Sequence, residues 1–211
     1  RGDWSAKSFP WLSVRDCTIG FAPAIVMGVS FSGELAYEIH VPNASLYAAY
    51  QSLRAAGEAH GLTLFGARAV DSMRMEKGFL HWKADLITEF DPFETGLSRF
   101  VKLEKAEFIG KASLMKRQAN GPQSRLVTLK INASHAPAHP GASLIQNGKV
   151  VGTITSGDYG HRVAMNLAYA FVDVDIASTG TTMQLDLCGE RVKAEVIDPS
   201  PYDPTYALMR S

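Results

Sequence analysis

The 211-residue chain is 46% hydrophobic and 20% charged, which is the composition of a globular protein with a sizeable core. Its 21 basic residues balance 21 acidic residues, and no apolar run is long enough to span a membrane. Nucleic acid and membranes are therefore not expected as partners, because nucleic acid and anionic lipid surfaces both favour a basic excess. Cys17 and Cys188 are far apart, and no cluster of cysteine and histidine predicts a metal site.

Short strands are predicted in the first part of the chain. Residues 25–29 form one apolar run, residues 37–41 alternate in polarity, and Gly33 supplies the turn between them. A helix then begins with Asn43 or Ser45 as its N-cap residue.

Three helices are predicted in this part. The first ends near Gly61, which is a suitable C-cap residue. The second covers 67–77 and stops at Gly78, and the third covers about 111–118. The apolar face of the first helix is expected on three residues at helical spacing: Leu46, Tyr50 and Leu53.

The pattern changes after Asn120-Gly121-Pro122, which predicts a break in the chain. Beyond it, Asn147-Gly148 is a strong two-residue hairpin signal, and a second hairpin is predicted with its turn at 189–191. Strands are expected over 125–131, 143–145, 150–152, 167–172, 183–188 and 192–196. Short strands at this spacing are typical of a small barrel or sandwich. The expected fold class is α+β, with an α+β portion to about residue 120 followed by an all-β domain.

One carboxylate, Glu38, lies in an otherwise apolar strand. Alternate residues of a strand share a face, so Glu38 and Ala36 point one way and Tyr37 points the other. Such a carboxylate is either a solvent-facing residue at a strand edge or a buried acceptor with a dedicated partner. A planar ligand with two adjacent N–H donors would suit it, because a carboxylate can accept both hydrogen bonds at once.

The second predicted helix carries five charged residues between Arg68 and Lys77. Arg74 is spaced to pair with Asp71 or with a neighbour of Lys77, and this pattern favours a solvated helix face held by ion pairs. The six histidines are scattered, which is typical of surface or packing positions.

The strand motif Ser30-Phe31-Ser32-Gly33-Glu34-Leu35-Ala36-Tyr37-Glu38-Ile39 resembles a motif of the glycine-cleavage T-protein superfamily. Residues 71–79, followed by His81-Trp82 and Ala84-Asp85-Leu86, are similar to the C-terminal region of sarcosine and dimethylglycine dehydrogenases. The resemblance continues in order through these segments: 9–11, 93–97, 108–114, 152–157 and 201–204.

This resemblance implies an architecture. Residues 1–120 would be the C-terminal part of a T-protein-like folate-binding module, and residues 121–211 would be an aminomethyltransferase-type β-barrel. The implied chemistry is the capture of a one-carbon unit by tetrahydrofolate from an aminomethyl group or an imine. FAD would be bound only in a parent protein and not by this region. The implied partners are folate, a small substrate derived from a methylated amine, and the N-terminal part of the module or a flavin subunit.

The resemblance also implies roles for four residues. Glu38 would hold the pterin ring, Tyr37 and Phe31 would pack near it, and Arg68 would meet the carboxylate tail of folate. The catalytic aspartate of the family would lie in an N-terminal part that this sequence does not include. No catalytic residue is therefore assigned, and the chain alone is not expected to complete the reaction.

Three positions depart from the family pattern. Phe31 replaces a common Tyr, Val70 an Arg, and Arg99 a Trp. These departures favour the dehydrogenase-attached branch, and they also leave open a non-catalytic assembly module with a vestigial folate pocket. A folate-dependent sulfonium demethylase is a further alternative, because the residues on the donor side lie outside the sequence. The expected compartment is the cytoplasm, or the mitochondrial matrix for a eukaryotic protein.

Overall fold

A computed structural model describes residues 2–210 of the chain. It contains two compact units. The first comprises the residues up to Met73 together with those from Asp203 onward, and the second comprises Arg74–Tyr202. Within the described residues, no helix has both the length and the apolar character needed to cross a membrane.

The first unit contains a three-stranded antiparallel sheet in the order β1-β2-β3, with β1 at Val14–Ile19, β2 at Ala22–Met27 and β3 at Glu38–His40. The two predicted strands are present, whereas β1 was not predicted. Exposed and half-buried residues alternate along β1, and charged residues are among them. The strand is held by pairing with β2, and Arg15 of β1 lies opposite Val26 of β2.

The first helix, α1, covers Leu46–Glu58 and follows a 3₁₀ turn. Ser45 occupies the N-cap position without a side-chain capping bond, and Gly61 follows the helix in the left-handed region at φ +71°. The predicted apolar face is wrong. Leu46, Tyr50 and Leu53 are all exposed, and the one buried residue of the helix is Ala49. The helix contacts β1 and β2, and the buried positions of β2 are Ala22, Ala24 and Val26.

The second helix, α2, covers Ala67–Lys77 and agrees with the predicted bounds. Gly78 ends it at φ +78°, a conformation that side chains with a Cβ rarely adopt. The third helix, α3, covers Lys111–Asn120. The predicted helices are therefore confirmed in number and position among the described residues.

The second unit contains a closed antiparallel barrel of six strands in the order β4-β7-β6-β5-β8-β9. The strands are β4 Ser124–Ile131, β5 Ser143–Gln146, β6 Lys149–Gly160, β7 Met165–Asp173, β8 Thr182–Leu187 and β9 Glu190–Ile197. The barrel is filled by side chains that point inward from alternate strand positions, and Leu129, Leu144, Leu185 and Ala194 are fully buried there. The α+β class with a small β-barrel is confirmed.

The two predicted hairpins are both present. Asn147 and Gly148 have φ values of +51° and +75°, as a two-residue turn with both central residues left-handed requires. The second turn is at Cys188-Gly189, at φ +53° and +90°, and not at 189–191. That prediction was misplaced because Glu190 already pairs with Leu187 at the start of β9.

Candidate functional site

Glu38, the first residue of β3, is exposed to solvent. Its side chain is 53% exposed, and its carboxylate oxygen Oε2 lies 3.4 Å from Nε2 of His40. Of the two alternatives that the sequence left open, the structure places Glu38 in the solvent-facing one. The carboxylate is therefore accessible to an incoming ligand and has a histidine beside it on the same strand face.

The turn before Glu38 is held by two serine hydroxyls. Ser30 Oγ accepts the Gly33 N–H at 3.0 Å, and Ser32 Oγ accepts the Glu34 N–H at 3.4 Å. Such side-chain bonds to nearby backbone amides stabilise tight turns. Phe31 is half-buried within this turn.

Tyr37 packs against an aromatic cluster at the start of the chain. Its ring stacks on Phe9 at a centroid distance of 5.8 Å and meets Trp4 edge-on at 6.2 Å. The Arg15 guanidinium lies 5.0 Å from the centroid of Trp4 and 4.9 Å from that of Phe9, a cation–π arrangement. Tyr37 is thereby held by these rings while 39% of it stays exposed.

Arg15 also fixes the backbone of this opening segment. It donates to the carbonyl oxygens of Asp3 at 2.6 Å and of Ser8 at 2.7 Å. The backbone N–H of Ser5 donates to the Asp3 carboxylate at 2.9 Å. That hydrogen bond lowers the pKa of Asp3, with smaller contributions from the Ser5 hydroxyl and from Arg15.

Arg68 lies on the exposed side of α2, in the same unit as Phe31, Tyr37 and Glu38. Within residues 2–210, no hydrogen bond or ion pair joins Arg68 to Glu38. Three of the four predicted site residues thus share one loop and strand, and the role of Arg68 stays a prediction.

A groove of about 410 Å³ adjoins this strand. It is lined by β1, β2 and the end of β3, and His40 is among its lining residues. Its volume lies within the usual range for small-molecule sites. His40 therefore lines a concave surface, and the Glu38 carboxylate lies 3.4 Å from the His40 ring without itself lining the groove.

A second cluster of functional groups lies in the barrel unit and was not predicted. The last four residues of α2, Arg74, Met75, Glu76 and Lys77, are at most 4% exposed. The expectation of a solvated helix face is wrong for this stretch. These charged side chains are buried because the helix end packs against the barrel, where each finds a partner in a distant strand or loop.

Asp85 is the centre of the first buried network. Its carboxylate accepts from Arg74 Nη1 at 2.9 Å and from the His81 N–H at 2.8 Å. It also accepts from the hydroxyls of Thr155 at 2.6 Å and Ser156 at 2.7 Å. Hydrogen bonds to an ionised group are the strong ones, and together they offset the cost of burying the charge.

Tyr169 extends this network beneath the helix. Its hydroxyl donates to the carbonyl oxygen of Met75 at 2.8 Å, and its ring centroid lies 5.7 Å from the Arg74 guanidinium carbon. Burial raises the pKa of the Tyr169 phenol well above its ordinary value; the Arg74 charge opposes this rise and the Asp85 charge adds to it. The residue is therefore a neutral donor at any physiological pH.

Glu76 is the centre of a second buried network. Its carboxylate accepts the backbone N–H groups of Arg162 at 2.6 Å and Val163 at 3.2 Å, as well as Arg162 Nε. The Arg162 guanidinium covers the ring of Tyr202 at 3.8 Å, and Lys77 Nζ donates to the Tyr202 carbonyl oxygen at 3.5 Å. The two networks join the helix end to the barrel.

Sequence reasoning missed these networks because the partners are far apart along the chain. The Ser156–Asp85 bond spans 71 residues and the Arg162–Glu76 bond spans 86. The available signal was the dense charge of the helix end, which also suits a solvated face. No group of histidine, cysteine, aspartate or glutamate in residues 2–210 could hold a metal ion.

The chain thus combines an α+β unit with a unit that contains a closed six-stranded β-barrel, which defines a class of two-unit proteins. Residues 1–105 match the family model of the GCVT N-terminal domain, and residues 125–203 match that of the glycine cleavage T-protein C-terminal barrel domain. The chain belongs to the glycine-cleavage T-protein superfamily, as the resemblance predicted.

Three curated relatives illustrate the branches of this family. Human mitochondrial dimethylglycine dehydrogenase is 33% identical over 92% of this chain and 23% of its own length. Mouse mitochondrial sarcosine dehydrogenase is 37% identical over 96% of the chain and 23% of its own length. An aminomethyltransferase of Saccharopolyspora erythraea is 33% identical over 83% of the chain and 48% of its own length. The chain thus spans about a quarter of the dehydrogenases and about half of the transferase.

The crystal structure of glycine cleavage system aminomethyltransferase T from Bartonella henselae has a similar fold. The superposition has a TM-score of 0.79 at 25% sequence identity. It covers 86% of this chain and 50% of that structure.

Proposed function

We propose that this chain takes part in folate-dependent one-carbon transfer, as a C-terminal part of an aminomethyltransferase or of a sarcosine or dimethylglycine dehydrogenase-like enzyme. The observation that carries the proposal is the accessible Glu38 carboxylate beside a groove, at the motif position where the family resemblance implies a pterin-holding glutamate. Tetrahydrofolate is the proposed cofactor, and FAD would be bound elsewhere in the parent protein.

The proposed roles follow from the chemistry of each side chain. Glu38 accepts two hydrogen bonds from adjacent N–H groups of the pterin, and His40 orients the carboxylate. Tyr37 and Phe31 supply apolar ring surface nearby, and Arg68 pairs with the carboxylates of the folate tail. These residues bind and orient, so the rate advantage of the site would come from positioning.

The relatives favour the dehydrogenase-attached branch for this chain. The two dehydrogenases match 92% and 96% of it, whereas the aminomethyltransferase matches 83%. We therefore propose a one-carbon donor derived from a methylated amine. The proposed domain boundary remains near residue 120, with the folate module before it and the barrel domain after it. The compartment would be the mitochondrial matrix in a eukaryote and the cytoplasm in a bacterium.

Calorimetric titration with tetrahydrofolate tests the proposal. It is carried out on this chain and, separately, on the full-length product of the gene that encodes it. Glu38→Ala should weaken binding by about 10- to 100-fold, since hydrogen bonds to a charged group contribute about 1.5–3 kcal/mol. Glu58→Ala is the matched control, because Glu58 is exposed at the end of α1, and it should leave binding unchanged.

Two results would count against this proposal. Equal affinity of the wild type and Glu38→Ala for tetrahydrofolate would show that Glu38 does not hold the pterin ring. No saturable binding by either wild-type form would favour the assembly module with a vestigial pocket.

A further inference from the structure

The loop that follows α2 contains a groove of its own within the barrel unit. The groove has a volume of about 510 Å³, in the range of small-molecule sites. Its lining is mostly apolar, with Trp82, Phe90 and Leu97 among the contributing side chains. Two residues of opposite charge, Lys83 and Glu89, also line it.

One aromatic residue of the lining is anchored on the barrel. The Phe90 ring stacks on Phe171 of β7, with centroids 3.4 Å apart and planes 10° apart. Trp82 is 69% exposed, which is unusual for so large an apolar side chain. Trp82 and Phe90, which both line the groove, offer two aromatic surfaces to an apolar ligand.

Lys83 lies in a tight turn of this loop. Its φ of +68° lies in the left-handed region, which lysine rarely adopts. The surrounding turn is closed by a hydrogen bond from the Lys83 N–H to the Leu86 carbonyl at 3.0 Å, and the His81 N–H donates to Asp85 at 2.8 Å. Strained backbone of this kind persists where buried contacts over-determine it, and it concentrates at functional sites.

The two charges of the groove do not neutralise each other. Within residues 2–210, the Lys83 ammonium has no hydrogen bond or ion pair, and the Glu89 carboxylate accepts only the Thr88 hydroxyl, at 3.4 Å. A ligand with a carboxylate and an ammonium would complement both groups. A ligand with one charge would leave the other groove charge without a partner.

We propose that this groove binds a free amino acid with a large apolar side chain. The ligand carboxylate pairs with Lys83, the ammonium pairs with Glu89, and the side chain packs between Trp82 and Phe90. The site lies in a different unit from Glu38, and the proposal does not depend on folate binding.

Fluorescence of the 211-residue chain tests this proposal, with Trp82 as the reporter and L-phenylalanine as the probe. A saturable change is expected in the millimolar range, and Trp82→Phe should abolish that change while calorimetry still detects binding. Phenethylamine lacks the carboxylate and phenylpropionate lacks the ammonium, so each should bind at least about tenfold more weakly.

Variants of the two charged residues separate this site from weak, non-specific binding. Lys83→Met and Glu89→Gln should each weaken L-phenylalanine binding about tenfold. Lys149→Met changes an exposed lysine at the start of β6 and should have no effect. All of these positions are exposed, so the variants should keep the wild-type circular dichroism spectrum. The proposal is overturned by equal binding of the singly charged analogues, by wild-type affinity in Lys83→Met, or by the absence of saturable binding.

Discussion

Arg74 donates a hydrogen bond to Asp85 at 2.9 Å, and the two side chains are only 5% and 0% exposed. This ion pair links the last turn of α2 to the loop that follows it, eleven residues further along the chain. Ser156 of β6 contacts both partners, donating to Asp85 and accepting from Arg74 at 3.0 Å. The pair thereby joins three segments of the barrel unit in one buried cluster.

Replacing one partner of this pair should be strongly destabilising. Asp85→Asn removes the negative charge that faces the buried Arg74 guanidinium, and breaking a buried ion pair in this way costs about 3–5 kcal/mol of the free energy of unfolding. Urea denaturation followed by circular dichroism measures this loss. Glu195→Gln breaks the exposed Lys193–Glu195 pair and should cost less than about 1 kcal/mol. Losses of equal size in the two variants would contradict the importance of burial.

The Glu76 carboxylate should protect the backbone amides that it binds. Glu76→Gln keeps the size of the side chain but loses its charge, so the hydrogen bonds from the Arg162 and Val163 amides weaken. We expect a loss of about 1.5–3 kcal/mol in stability. Hydrogen exchange at these two amides should accelerate more than exchange elsewhere in the barrel, and an unchanged protection pattern would argue against this role.

Gly157 in β6 has no room for a side chain. A Cβ at this position would lie well inside van der Waals contact with the backbone oxygen of Ala138, which cannot move aside as a side chain can. Gly157→Ala should therefore destabilise the protein by about 1–3 kcal/mol. Gly66→Ala is the control, since nothing lies within 4 Å of its Cβ position and its φ is not left-handed. Calorimetry should show a lowered Tm for the first variant and no drop for the second.

Tyr169 should make stability fall at alkaline pH. Its ordinary pKa is 10.0, and burial raises the pKa in the folded protein. The folded state therefore keeps the phenolic proton after the unfolded state has lost it, so this contribution is complete below pH 10 and decreases as the pH rises further. The decrease attributable to one group is at most about 1.4 kcal/mol per pH unit.

Tyr169→Phe provides the measurement. At neutral pH the variant should be less stable by about 1 kcal/mol, because the hydrogen bond to the Met75 carbonyl is lost. Above pH 10 the difference between the two proteins should shrink, since only the wild type carries the titrating phenol. A difference that stays constant from neutral pH to pH 12 would show that the phenol titrates with its ordinary pKa in the fold.

The elements that depend on local conformation could be predicted from the sequence. The bounds of α2 follow from helical periodicity ended by Gly78, and the hairpin at Asn147-Gly148 follows from two residues that tolerate left-handed φ. The alternating strands of the barrel were also predicted, because a period of two is visible in any short segment. The family motif around Glu38 identified the candidate site without showing whether the carboxylate is exposed.

The burial of particular polar and apolar residues could not be predicted, because it depends on long-range packing. Charged Arg74 and Glu76 are buried, whereas apolar Leu46 and Tyr50 are exposed, the reverse of what their local patterns indicate. Burial of a charge depends on partners such as Asp85 or Arg162, up to 86 residues away from it in the chain. The folded barrel unit brings such partners within hydrogen-bond distance. Their spacing along the chain does not reveal their distance in space, so these contacts could not be predicted.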